Sequence, residues 1–211
     1  MNRDMFDKIN NTLVELEKQK DIQILYAAES GSRGWGFASP DSDYDCRFIY
    51  IQHRSFYLRI HEGVDYIELP VDAVYDVNGW DLKKALKAAE KSNPTILEWL
   101  QSPIIYREKE GFRETLLELY GSYFNEKAVL HHYRNIAAKK LRDIEINEEE
   151  SLKKYFYVLR PLLACEYVMN HHKVPPMTFD ALYKRETVDK KIGDEIDKIM
   201  SLKVVSDEKF K

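Results

Sequence analysis

Residues 26–51 read YAAESGSRGWGFASPDSDYDCRFIYI, and this stretch decides the fold. An apolar strand ends near Glu29, a Gly31-Ser32 turn follows, and Gly34 and Gly36 bend the chain. A second strand then opens on Asp43 and Asp45. Alternate residues of a strand project to one face, so these two carboxylates stand side by side, away from Tyr44 and Cys46. Like charges so placed repel, and an apolar strand gains no stability from them. A divalent cation that prefers oxygen ligands, Mg²⁺ or Mn²⁺, accounts for the pair. The competing explanation is a solvated loop, since residues 39–43, SPDSD, carry turn chemistry. The backbone amides and hydroxyl of the Gly31-Ser32 turn suit a phosphate.

Upstream, Met5, Ile9, Leu13 and Leu16 recur at three-and-four spacing, which predicts an amphipathic helix over 4–19 with Asp4 as a cap. Residues 21–30 are rich in strand formers and form the first strand. Downstream, 44–52 is the second strand, followed by a loop with His53 and Arg54. Third and fourth strands are expected within 64–71 and 73–81, the last stopped by Asn78-Gly79. From Trp80 the period becomes helical, first over 81–89 and then, after Asn93-Pro94, over 95–100. An apolar run follows at 104–106. Beyond residue 108 the pattern is helical over 110–124, 126–145, 149–172, 178–185 and 188–201. This order predicts an α+β chain. A head over 1–107, with a short mixed sheet and flanking helices, precedes an all-helical domain over 108–211.

A chain of 211 residues can bury one core plus a helical appendage. Its net charge of −4 offers no general attraction for nucleic acid, which leaves local basic patches. Cys46 and Cys165 lack CxxC spacing and read as thiols of a reducing compartment. No apolar run reaches the roughly 18–20 residues of a membrane helix. The opening MNRDMFDKIN carries no secretory apolar segment. The expectation is a cytoplasmic protein that uses no membrane.

A third carboxylate on a neighbouring strand would complete a two-metal site. Asp65, Glu68, Asp72, Asp76 and Asp81 are available. Asp76 is preferred because it falls in the short strand before the helical turn. Asp81 at a helix start is equally well explained as a cap, and Asp72 stays open. Arg33 and Arg47 flank the acids, where a guanidinium neutralises phosphate, a surface ion pair being the alternative for Arg47. In residues 153–160, KKYFYVLR, Lys153, Tyr157 and Arg160 share a helix face with Lys154 beside it. That face meets a triphosphate and base, or is a solvated stripe over Phe156 and Leu159. His131-His132 and His171-His172 diverge on a helix and lack zinc-ligand spacing. Trp35, Trp80 and Trp99 read as packing anchors.

Gly31-Ser32, ten residues, Asp43, one residue, Asp45 resembles the signature of the polymerase-β-like nucleotidyltransferase superfamily. Residues 29–51, the block NGWDLKKALKAAEKSNPTILEWLQSPIIY and the block KKYFYVLRPLLACEYV are similar to its bacterial branch associated with RNA repair (RlaP or YcgL-like). The resemblance spans residues 29 to about 176. It implies a polymerase-β-like head and transfer of a nucleotide from a triphosphate, ATP foremost, to a hydroxyl of RNA, protein or a small molecule. It places Gly31 and Ser32 on the triphosphate, and Asp43 and Asp45 on Mg²⁺ or Mn²⁺. Asp76 is implied as the third acid. Lys154 and Arg160 become nucleotide contacts, with Arg33 and Arg47 beside the phosphates. Family members run further, which implies a short chain or a reduced last segment here. A different class is a regulatory module that binds nucleotide without turnover, or an antitoxin-like partner of another protein.

Overall fold

The computed structural model describes residues 3–39, 42–70, 75–147, 152–183 and 188–205. The chain is α+β, with a five-stranded mixed sheet, and it divides into two compact units. Unit 1 comprises Met1–Gly34 and Asp43–Phe124, and unit 2 comprises Trp35–Ser42 and Asn125–Lys211.

Unit 1 opens with helix α1 (Arg3–Lys20), which has Asp4 in its first turn and Lys18 and Lys20 in its last, charges that complement the helix dipole. Strand β1 (Ile22–Glu29) follows, then the short helix α2 (Gly31–Trp35) and strand β2 (Tyr44–Gln52). A single-turn helix α3 (Arg54–Tyr57), capped by His53, replaces the expected loop. Strands β3 (Tyr66–Glu68) and β4 (Tyr75–Asp81) lead into helices α4 (Leu82–Glu90) and α5 (Pro94–Gln101). Strand β5 (Ile105–Glu108) and helix α6 (Phe112–Ser122) complete the unit.

The sheet runs β3-β4-β2-β1-β5. Strands β2 and β4 are parallel, and the other neighbours are antiparallel. Strand β1, interior to the sheet, is buried from Ile24 to Glu29, which explains its unbroken apolar run. One face of the sheet meets Ile9, Leu13 and Leu16 of α1 through Ile24, Ala27, Cys46, Phe48 and Val77. Toward α5, the Tyr26 hydroxyl donates to the Trp99 carbonyl at 2.8 Å. Glu17 ties α1 to two strands, accepting from the Ile24 amide and from Arg107.

Two expectations need correction. Asn78-Gly79 does not stop β4, which continues to Asp81. A Cβ on Gly79 would sit 2.2 Å from the Phe48 ring, so this glycine admits a ring from the neighbouring strand and marks no turn. The division of the chain also falls after Phe124, not after residue 107. Helix α6 packs on α4, α5 and β1, with Phe112 against Tyr26, and so belongs to unit 1.

Unit 2 contains helices α7 (Glu126–Asn147), α8 (Leu152–His171), α9 (Phe179–Leu182) and α10 (Lys190–Val205). Val129, Tyr133 and Ala137 form the buried stripe of α7, and Phe156, Leu163, Ala164 and Val168 that of α8. The segment 35–42 joins this unit through its aromatics. Phe37 stacks on Phe156 at 4.9 Å between ring centres, and Trp35 meets Tyr157 edge-on at 5.1 Å. Among the described residues no helix is long and apolar enough to cross a membrane.

Candidate active site

The site is assembled by strand register. Asp45 on β2 pairs directly with Asp76 on the parallel neighbour β4. Adjacent carboxylates in register repel, and Arg47, two residues along the same face of β2, bridges them. Its Nη2 lies 3.1 Å from Asp45 Oδ1 and 2.7 Å from Asp76 Oδ2. Nη1 donates to the carbonyls of Cys46 and Asp76. The three side chains are 19%, 26% and 28% exposed for Arg47, Asp45 and Asp76.

Gly31 closes the site from the β1 side. Its φ of +61° is the left-handed conformation that glycine adopts without penalty. A Cβ there would fall 2.1 Å from Asp45 Oδ2. The missing side chain is therefore the space into which the Asp45 carboxylate fits. The turn is pinned to β2 by the Ser30 amide, which donates to the Asp45 carbonyl at 2.8 Å. Ser32 is buried in the first turn of α2. Arg33 donates from Nε to the Asp43 carbonyl at 3.1 Å and lies 3.9 Å above the Tyr44 ring, so it ties α2 to the start of β2.

Asp43 precedes β2 by one residue and is exposed. Among the described residues no group of three or more His, Cys, Asp or Glu side chains converges as a metal-holding set. The structure thus joins Asp45 to Asp76, with Arg47 between them, and leaves Asp43 at the rim. Asp72 lies outside the described residues.

Asp81 is a helix cap. It is fully buried, accepts the Lys83 amide at 2.9 Å and receives the Tyr57 hydroxyl at 2.7 Å. Asp81→Ala is expected to cost about 1–2 kcal/mol of stability, the worth of a capping bond, without lowering the activity of the site by more than that instability explains. Urea denaturation beside an activity assay checks both parts.

Glu29 is a site residue that the sequence pattern concealed. Fully buried at the end of β1, it accepts the Asp45 amide at 2.8 Å and the Tyr106 hydroxyl. Nothing but its closeness to Gly31-Ser32 marks it, because the last residue of a buried strand reads as a boundary. Burial pushes its carboxyl from 4.5 up to about 7, against the opposing pull of the Tyr106 and Asp45 hydrogen bonds. The folded state then holds more protons than the unfolded chain between those values. The associated stability is fully present below 4.5 and is lost as pH rises through about 7. Glu29→Gln removes this slope. The fall in unfolding free energy between about pH 5 and about pH 8 is expected to shrink by on the order of 2–3 kcal/mol. Denaturation in metal-free buffer at the two pH values reads the difference, and an unchanged slope contradicts it.

Lys154 and Arg160 belong to unit 2. Arg160 is only 2% exposed, donates from Nε to the Met177 carbonyl at 3.0 Å, and lies 4.7 Å over the Trp35 ring and 5.8 Å from that of Tyr133. Arg160 thus shares the Trp35-facing side of α8 with Tyr157, as expected, but it is buried inside the helical unit and is not part of a solvated stripe. Lys153, Lys154 and Tyr157 line a cleft of about 330 Å³ with Lys140 and Asp143 of α7. The pair His171-His172 makes ordinary contacts, His172 with Glu126 and His171 with Tyr167.

The family model of the RNA repair pathway DNA polymerase beta family (RlaP) matches residues 5–211. The chain belongs to that family. The protein YcgL of Bacillus subtilis (strain 168), which is described as uncharacterized, is 40% identical over 199 residues, covering 94% of this chain and 76% of its own length. A crystal structure of a nucleotidyltransferase-like protein from Exiguobacterium sibiricum 255-15 is similar at a TM-score of 0.38 and 12% identity, over 81% of this chain and 59% of that one. Membership suggests an enzyme of the nucleotidyltransferase type.

Proposed function

We propose that this protein is a metal-dependent nucleotidyltransferase that moves a nucleoside monophosphate from a triphosphate, ATP foremost, to a hydroxyl acceptor and releases pyrophosphate. The observation that carries the reading is the register pairing of Asp45 with Asp76 beside the left-handed Gly31. Oxygen donors on adjacent strands, with the Asp45 carboxylate seated in the space that any side chain at position 31 would take, fit Mg²⁺ or Mn²⁺. Asp45 and Asp76 would hold the ion, with Asp43 reaching in from the rim. A bound divalent ion supplies acidification of the attacking hydroxyl and charge neutralisation on the leaving oxygens.

The chain's own residues provide position and charge. The Gly31-Ser32 turn receives the triphosphate, while Arg33 holds that turn against β2. Glu29 fixes the Asp45 backbone from below, so the carboxylate is placed without reorganisation at reaction. Arg47 brings a positive charge to the phosphates. Acceptors compatible with the family are an RNA end, a protein or a small molecule.

Incubation with Mg²⁺ or Mn²⁺, each of four α-labelled triphosphates and mixed tRNA or lysate tests the reading. Label is expected on an acceptor with the wild type and not with Asp43→Ala/Asp45→Ala. Equal labelling by the double variant removes these acids from the chemistry. Triphosphate binding without turnover would instead favour a regulatory module.

A further inference from the structure

Arg47 already holds one oxygen of each acid that the proposed function assigns to a cation. One nitrogen, Nη2, contacts Asp45 Oδ1 and Asp76 Oδ2, and the same guanidinium is anchored by the Cys46 and Asp76 carbonyls through Nη1. All three side chains are less than one-third exposed, so solvent screens the cluster only in part. A divalent ion on those oxygens would meet a fixed positive charge a hydrogen bond away. The two cations therefore compete.

We propose that Arg47 is an internal counter-ion that a divalent cation must displace from Asp45 and Asp76, so that it keeps the metal-free pair assembled and sets the site's affinity for metal. This inference rests on Asp45 and Asp76 being the metal ligands. Without Arg47, two carboxylates in register on neighbouring strands would repel, and the strand ends carrying them would be strained apart. With it, the pair is neutralised to a single net negative charge before any ion arrives. Displacement is easiest when an anion takes the released guanidinium, and a triphosphate in the neighbouring Gly31-Ser32 turn is such an anion. Metal loading is thereby coupled to nucleotide loading. The alternative is that Arg47 merely orients the two acids for the ion, in which case its loss weakens metal binding.

Mn²⁺ titration of the full chain, followed by the electron paramagnetic resonance of free Mn²⁺, separates the two. Arg47→Gln and Arg47→Met are expected to bind Mn²⁺ about tenfold more tightly than the wild type, the worth of a lost charge-assisted competitor. Their melting temperatures are expected to fall in metal-free buffer and to recover as Mn²⁺ is added. Equal or weaker Mn²⁺ binding by both folded variants overturns the inference while leaving the acids as ligands. Wild-type binding that Asp45→Asn does not alter, or no measurable binding in any form, overturns the inference and the ligand reading together.

Discussion

Asp76→Ala is expected to lose nucleotidyl transfer by about 10²–10³-fold or more, matching Asp45→Ala. The two residues are register partners on β2 and β4 and share the Nη2 atom of Arg47, so either loss dismantles the same charge arrangement. Neither side chain is buried deeply enough for its removal to threaten the core, since both are more than one-quarter exposed. The loss should therefore appear as a fall in kcat with the folded state retained, read by steady-state kinetics beside circular dichroism. Asp81→Ala is the internal control, because that acid caps α4 and binds Tyr57 instead. Asp76→Ala with wild-type transfer would take Asp76 out of the site.

Gly31→Ala should damage activity far more than stability. The left-handed φ of +61° costs an L-residue roughly 1–2 kcal/mol. The new methyl would lie 2.1 Å from Asp45 Oδ2, the end of a short side chain that can swing away. Swinging away relieves the clash but breaks the geometry with Arg47 and Asp76. Displacement of a reacting group by about 1 Å costs on the order of 10²-fold in rate, so transfer should fall at least that far. Thermal melting measured alongside should show a loss of only a few degrees. A variant that melts early and retains full transfer per folded molecule would show that Gly31 serves the turn alone.

Local chemistry made most of the elements legible. The three-and-four spacing of Ile9, Leu13 and Leu16 yields α1 because those residues face one sheet surface. The cap residues Asp81 and Asn93 start α4 and α5 as their side chains dictate. Gly79 misled because a glycine admitting the Phe48 ring looks in sequence like one making a turn. Strand order was not legible, and with it went the partnership of Asp45 and Asp76, which depends on β4 lying parallel beside β2. Glu29 was visible as a residue but not in its role, and Arg47 read as a phosphate or ion-pair residue without its two partners being legible. A buried acid reveals its purpose only through partners such as Tyr106, 77 positions away. The division into units was hidden for a similar reason: Trp35 reads as an anchor, yet nothing local shows that it and Phe37 pack with Phe156 and Tyr157.

The most direct measurement follows two labels of ATP in one reaction with Mg²⁺ or Mn²⁺ and a mixture of tRNA and lysate. The account predicts that the α-phosphorus label moves to an acceptor, that the γ-phosphorus label leaves in pyrophosphate, and that Asp45→Ala abolishes both. Arrival of the γ-label on the acceptor, or undiminished α-label transfer by Asp45→Ala, would contradict it.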